Sequence, residues 1–331
     1  MLDTLDRALI HALQVDGRAP FARVAAALDV STQTITRRHQ RLTAEAGLRV
    51  VGLTHHHAAQ RWVTRITAAP STARDLAESL ARRTDTSWVK LTSGGTEIIA
   101  FVHATTSLLL DDIPKTTSIT AVSAHLVLNV HLGGPTAWSG RVNSLTPQQI
   151  RALTPEQSDP DDVRDTDAPL LHALARNGRT PLGELASATG HSPATVAKRL
   201  RALRSSDALY FDVEIDARLL GADTQALLWI STAPKDQERT AKALARHGEL
   251  AFVAATTGPT NLVAQALCTD PADLHRYLTR SLAAVDGITA LETSPVLRTL
   301  KAAGPVSPDR GASPTRPAAR RSRTAARPGR A

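Results

Sequence analysis

Two short stretches carry the side chains best suited to chemistry on a polyanion. From Ser31 to Leu42 the chain reads STQTITRRHQRL, and from Ser192 to Leu203 it reads SPATVAKRLRAL. At helical spacing Ile35, Arg38, His39 and Leu42 form one stripe of the first stretch, with Thr32, Gln33, Thr36, Arg37, Gln40 and Arg41 on the opposite side. Arginine pairs bidentately with guanine, glutamine with adenine, and threonine touches a base edge or the thymine methyl. This set suits the reading of double-stranded DNA, and Arg38 is counted with it. The second stretch offers Lys198, Arg199 and Arg201 beside Ala194 and Ala197. Short alanines reach less far into a groove, so the second stretch is expected to hold phosphates more than to read sequence.

The elements that must position these side chains occur twice. Leu5 to Leu42 and Thr166 to Leu203 align without a gap at an offset of about 161 residues, with Asp6/Asp167, Leu9/Leu170, Gly17/Gly178, Arg18/Arg179, Ser31/Ser192, Thr34/Thr195 and Arg38/Arg199 among the matches. In each copy an apolar helix meets a Gly-Arg break, a short second helix follows, and a three-residue turn leads into a third helix. That is the helix-turn-helix plan. Ser31 and Ser192 are natural N-caps, Pro193 suits a first helical position, and Gly190 and Asp29 fill the turn position that favours a left-handed residue. His39 stands where the second copy has Leu200 and is expected to weaken the first module. Leu48 to Leu53 is expected to be a strand leading away from it.

With its Leu2-Asp3/Asp6 start, its Asp16-Gly17-Arg18 break and its Ser31-x-x-Thr34-Ile35-x-x-Arg38-x-x-x-Leu42 helix, the chain resembles the Lrp/AsnC family of bacterial transcription regulators. A second repeat, at an offset of about 164, matches Ala69-Pro70 to Ala233-Pro234, Leu80-Ala81-Arg82 to Leu244-Ala245-Arg246, and Gly94 and Thr96 to Gly258 and Thr260. Its elements run in the order of a ferredoxin-like βαββαβ unit. About five residues are missing from the first copy, so its second helix is expected to be curtailed. This unit is similar to the family's effector-binding domain, in which a small ligand, often an amino acid, sits near a G-x-x-D turn. The resemblance thus implies an effector site at Thr257, Gly258, Thr260 and Asn261, with Gly94 and Glu97 in the first copy. Here Asn261 removes the acid charge and Glu97 keeps it on a longer arm.

The expected architecture is α+β: two winged helix-turn-helix domains alternating with two ferredoxin-like βαββαβ domains. The boundaries read as 1–53 and 164–208 for the helix-turn-helix domains, 58–130 (shortened) and 209–302 for the effector-type domains, 131–163 for a linker and 303–331 for a disordered Arg-rich tail. That tail holds seven Arg and one Asp, so most of the formal net charge of +8 lies there. A basic balance fits a nucleic-acid partner. The N-terminus lacks the basic start and apolar core of a signal peptide, and no apolar run is long enough to span a membrane. A cytoplasmic protein with no membrane partner is expected.

His55-His56-His57 invites a metal reading, but alternate strand residues face opposite ways and no third ligand is evident. The lone Cys268, in an apolar run, reads as packing. No nucleotide-binding or hydrolase motif is present, and neither an enzyme activity, a cofactor nor a metal is expected. The leading function is a sequence-specific DNA-binding transcription regulator, modulated by a small metabolite such as an amino acid. Its two halves would make one chain a pseudo-dimer, with homo-oligomers built on that unit. One alternative is a ligand-independent architectural DNA-binding protein. A remote one is an enzyme like the haem-biosynthesis decarboxylases that share the two-domain plan, kept open by His103, His125 and His131.

Overall fold

The computed structural model describes residues 2–54, 60–103, 108–134, 137, 140–155 and 159–306. The His55–His57 run and the Arg-rich segment after residue 306 lie outside the described residues.

The first module comprises α1 (Thr4–Val15), α2 (Phe21–Leu28) and α3 (Thr32–Ala46). Asp3 and Asp6 form a reciprocal capping box at the start of α1, which satisfies two otherwise orphaned N–H groups. Asp29 takes the left-handed conformation (φ 54°) after α2, and the Ser31 hydroxyl accepts the Thr34 N–H at 3.1 Å. Strand β1 (Arg49–Thr54) follows, then β2 (Arg61–Ala68), α4 (Ala73–Arg82), β3 (Thr86–Thr92) and β4 (Glu97–His103). A short helical stretch over Leu108–Asp112 and α5 (Ile113–Lys115) leads to β5 (Ile119–Leu132), and α6 (Pro147–Leu153) lies in the connection. The second half repeats the order with α7 (Ala168–Arg176), α8 (Leu182–Thr189), α9 (Pro193–Ser205), β6 (Leu209–Glu214), β7 (Thr224–Thr232), α10 (Gln237–Leu244), β8 (Leu250–Thr256), β9 (Leu262–Cys268), α11 (Pro271–Arg276, continued by Tyr277–Leu282) and β10 (Ile288–Thr299). Gly190 (φ 69°) and Ser192 repeat the turn and the cap.

Strand β1 does not lead away from its module. It pairs antiparallel with β6, from Arg49 opposite Glu214 to Thr54 opposite Leu209, so each helical module contributes one strand to a shared ribbon. Residues 209–214 therefore sit with the helical pair and not with the second effector-type unit. Phe211, 5% exposed, points into the joint. A Cβ built on Gly17 would lie 2.6 Å from the Phe211 Cβ, and one on Gly178 2.8 Å from its ring. Only glycine lets the backbone come this close. The neighbouring arginines cross over: Arg18 donates to the carbonyls of Gly178 and Thr180 at 2.6 and 2.9 Å, and Arg179 to those of Gly17 and Ala19 at 2.7 and 3.0 Å. The repeated Gly-Arg break is thus a reciprocal clasp that relates the two modules by a pseudo-two-fold axis. The His39 ring packs 4.9 Å from Phe21, where burial and nearby Arg179 push its pKa down to about 4 and keep it neutral.

The remaining strands form two ferredoxin-like sheets, β3-β4-β2-β5 and β8-β9-β7-β10, with α4 and α10 on their outer faces. Strand β5 runs past β2 to pair with β8 through Val127–Leu132, and β10 runs past β7 to pair with β3 through Val296–Thr299. These two crossings close an eight-stranded barrel. Its interior is packed by Val63, Ile99, Leu227, Trp229, Ala254 and Val263. Among the described residues the first copy's second helical stretch covers 108–115, and its counterpart covers Pro271–Leu282.

Residues 140–154 do more than connect. Helix α6 carries a Thr146–Gln149 capping box, and Leu145 and Leu153 join the core of the helical pair. His11 Nδ1 accepts the N–H groups of Ser144 and Leu145, both at 3.1 Å, and Gln149 donates to Ala27 O at 3.0 Å. Arg141 donates to Leu267 O in the second unit. The segment straps the first module to the barrel.

Residues 300–304 tie the ribbon to β3. Leu300 N–H donates to Val89 O at 2.8 Å, Trp88 N–H to Ala302 O at 2.9 Å, and Gly304 N–H to Glu214 Oε1 at 2.7 Å. Asp212 is buried at this junction, where its carboxylate accepts the Val213 N–H at 2.8 Å. Burial, then the charge of Glu214, push its pKa up to about 7 from an ordinary value of 3.8. Between those values the folded chain keeps a proton that the unfolded chain has released. Stability from this group is therefore present at low pH and is lost as pH rises through about 7. Asp212→Asn is expected to raise the melting temperature by at least ~2 °C at pH 8, and less at pH 5. An equal change at both pH values would show that Asp212 does not titrate in this window.

Candidate nucleic-acid interface

Helix α3 is seated by Ile35 and Leu42, which are 0% and 2% exposed, and α9 by Val196, Leu200 and Leu203. Opposite these anchors Thr32, Gln33, Arg37, Gln40 and Arg41 are exposed on α3, and Ala194, Lys198 and Arg201 on α9. Thr36 is half-buried and its hydroxyl donates back to Thr32 O at 2.9 Å. Arg37, Lys198 and Arg201 make no ion pair among the described residues. They are free to meet phosphate or base.

Three of the arginines expected to face DNA are engaged inside their modules. Arg38 donates to Asp3 and Asp6 at 2.6 and 2.8 Å, and Arg41 to both Asp6 oxygens at 2.7 and 2.6 Å. Arg199 is bound by Asp167 at 2.6 and 2.8 Å and by Asp161 at 2.5 Å. Burial alone would raise the Asp6 carboxyl, but Arg41, the Asp3 N–H and Arg38 together hold it below the usual carboxylate range. One acid thus caps α1 and ties the third helix to it. An anchored helix presents its free side chains in one orientation, which recognition of base edges requires.

The two effector-type turns are built differently. In the first, Gly94 (φ 79°) has open space around it, while Glu97 accepts Arg65 at 2.6 and 2.9 Å, the Thr92 hydroxyl at 2.7 Å and the Ser93 hydroxyl at 2.8 Å. Burial would raise Glu97, but these three donors hold it below its ordinary range. Arg65 also binds Glu292 at 2.5 and 2.9 Å and lies 4.5 Å over the Trp229 ring, whose Nε1 donates to Ser294 at 3.2 Å. In the second turn, Asn261 accepts the Thr232 N–H and returns a bond to its carbonyl, both at 2.9 Å. His125 reaches across from β5 to within 2.9 Å of Thr257 O, and a Cβ on Gly258 (φ 105°) would lie 2.4 Å from its ring. The Thr257 hydroxyl accepts the Leu126 N–H at 2.9 Å, and the Thr260 carbonyl accepts the Thr256 hydroxyl at 3.2 Å.

The other candidates stay apart. His103 bonds Ser87 at 2.7 Å, and His131 stands 3.6 Å from Glu238. Among the described residues no group of three His, Cys, Asp or Glu side chains could hold a metal. Cys268 is buried, and burial pushes its thiol up to about 11. No helix among the described residues is long and apolar enough to cross a membrane. The cross-module bonds of Arg18 and Arg179 escaped the sequence reading; the repeated Gly-Arg pair was the signal that could have found them.

Residues 2–43 and 165–204 match the AsnC-type helix-turn-helix domain, and residues 225–306 the Lrp/AsnC ligand binding domain. The regulatory protein AsnC of Haemophilus influenzae is 30% identical over 147 residues, which are 42% of this chain and 98% of that protein. The HTH-type transcriptional regulator FL11 of Pyrococcus horikoshii is 27% identical over 138 residues, 41% of this chain and 91% of the regulator. Over the whole chain the fold is similar to the siroheme decarboxylase NirDL, with a TM-score of 0.60 at 9% identity, covering 91% of this chain and 93% of that one. That likeness concerns the fold alone, and it spans both halves. With two AsnC-type helix-turn-helix domains clasped on one ribbon above a closed pair of effector-type units, the chain belongs to the Lrp/AsnC family of transcriptional regulators.

Proposed function

We propose that one chain binds double-stranded DNA as a pseudo-dimer, entering the major groove with α3 and α9, and regulates transcription in the cytoplasm. The observation that carries this reading is the pairing of two exposed, Asp-anchored recognition helices across the Gly-Arg clasp. Helix-turn-helix dimers present their helices about one turn of DNA apart. Here a single polypeptide supplies both. Selection from random duplexes with the purified full-length chain tests the reading: an enriched sequence supports it. Uniform binding with steep salt dependence would favour the architectural alternative instead.

A small ligand, with an amino acid as the class the family relationship suggests, is assigned to the Gly258–Asn261 turn. Support comes from the family relationship and from the chemistry over the turn: the buried His125 ring stands over Gly258, bonded to Thr257 O at 2.9 Å and Ser123 Oγ at 3.2 Å, whereas at the first turn Glu97 is bound by Arg65, Thr92 and Ser93. At 100 times Kd a ligand of the folded state adds about 2.7 kcal/mol. A thermal-shift screen of amino acids should therefore find a stabiliser whose effect is lost in Gly258→Val. No shift with any of them would leave a regulator without this effector.

The Arg-rich end is assigned to DNA as well. The chain leaves the described residues at Val306, beside the ribbon, and seven Arg follow. Each phosphate neutralised contributes about 0.9 to the salt slope. With three of the seven engaged, deleting residues 307–331 should lower that slope by about 2.7 and weaken binding alike on all duplexes. An unchanged slope would show that this segment takes no part.

A further inference from the structure

We propose that this chain recognises an asymmetric DNA site, with one sequence-specified half under α3 and, about one helical turn away, a half under α9 that is gripped mainly through its phosphates. This rests on the reading of both modules as DNA-binding. It goes further by naming the kind of duplex that fits.

A two-fold protein reads a palindrome because identical helices meet identical half-sites. In this chain the joint keeps the two-fold relation while the reading surfaces do not. The joint is symmetric in its details: β1 and β6 pair antiparallel over six residues each, and Arg18 and Arg179 exchange equivalent bonds to carbonyls. Both recognition helices start at a serine cap with the same 3.1 Å bond, and both are tied to their first helix through an aspartate, Asp6 to Arg38 and Asp167 to Arg199. The two helices are therefore placed alike. What differs is what they carry.

At matched positions Gln33 corresponds to Ala194, Thr36 to Ala197, Arg37 to Lys198 and Gln40 to Arg201. The glutamine amide can bond two edges of adenine, whereas a methyl can contact only the thymine methyl. The guanidinium is a planar fork matched to guanine, whereas the ammonium is a point charge suited to phosphate. The amide readers thus lie under α3 alone, while α9 keeps Lys198 and a single guanidinium, Arg201, so base discrimination is weighted toward α3. The two heads are covalently joined and unlike, so the chain settles on its site in one orientation. A homodimer, with two identical heads, would have no such direction.

The test begins with duplexes selected by the full-length chain, followed by two rearrangements of the winning sequence. In the first, the half under α3 is repeated in inverted orientation at both positions; in the second, the half under α9 is repeated at both. The first is expected to bind within ~3-fold of the parent, and the second to lose ~30-fold or more. A chain carrying Ala194→Gln, Ala197→Thr, Lys198→Arg and Arg201→Gln, all on the outer side of α9, should then prefer the palindrome over the parent by ~10-fold, with its fold checked by circular dichroism. A palindromic selected site, or equal losses from scrambling either half, would overturn the asymmetric site while leaving DNA recognition intact. Uniform binding to every duplex would defeat the proposed sequence reading itself, and this inference with it.

Discussion

Replacing Arg37 by Ala is expected to cost about 1 to 3 kcal/mol on the preferred duplex and far less on random DNA, because the role proposed for its exposed guanidinium is a bidentate grip on a base edge. The specificity ratio should fall in gel-shift titrations while the melting temperature stays constant. Arg41→Ala should behave in the opposite way. Its guanidinium holds Asp6, whose side chain is 1% exposed, so removing it weakens the support of a buried charge and lowers stability. Lys198→Ala should weaken specific and random duplexes equally, as a phosphate contact does. Should Arg37→Ala instead lower both affinities in parallel, α3 would be a phosphate-binding helix and base reading would have to lie elsewhere.

Phe211→Ala should have the largest effect on stability, about 3 to 5 kcal/mol. The ring is shared: it packs against Gly17 of the first module and Gly178 of the second, and the Arg204 guanidinium lies 5.4 Å from its centre. Its loss leaves a void at the junction of two modules instead of in one core. Urea unfolding is expected to show either a lower midpoint or two separated transitions as the clasp fails. Binding to a two-half duplex should weaken in parallel, because the helices lose their fixed spacing. A loss under about 1 kcal/mol would mean that the reciprocal arginine bonds, not the ring, hold the joint.

The local plan of the fold was legible because each signal is short-ranged. Ser31 and Ser192 cap the helices they precede, Asp29 and Gly190 take the left-handed turn position, and Thr146-Pro147 opens α6. The two registers of the repeat placed the ferredoxin-like units. What could not be read was the choice of partner across distance. The apolar pattern of Arg49–Thr54 says that it is a strand, but nothing in it names β6 as its neighbour. Helical periodicity put Arg41 beside Arg37 on the outer face, which is correct; that its tip bends back to Asp6 depends on how α1 crosses α3. The same limit hid the closed turns. Asn261 and Glu97 each keep their expected place, yet their side chains are engaged by Thr232 on β7 and Arg65 on β2, strands their own turns do not predict.

One polypeptide is proposed to perform the work of a dimer. Native mass spectrometry of the chain, truncated after Val306, on a selected duplex of about 25 base pairs tests it most directly. One chain per duplex is expected, with both half-sites protected in a footprint of the same complex. Two chains per duplex, each protecting one half, would contradict it, because the clasp between Arg18 and Arg179 would then not set the geometry in which DNA is bound.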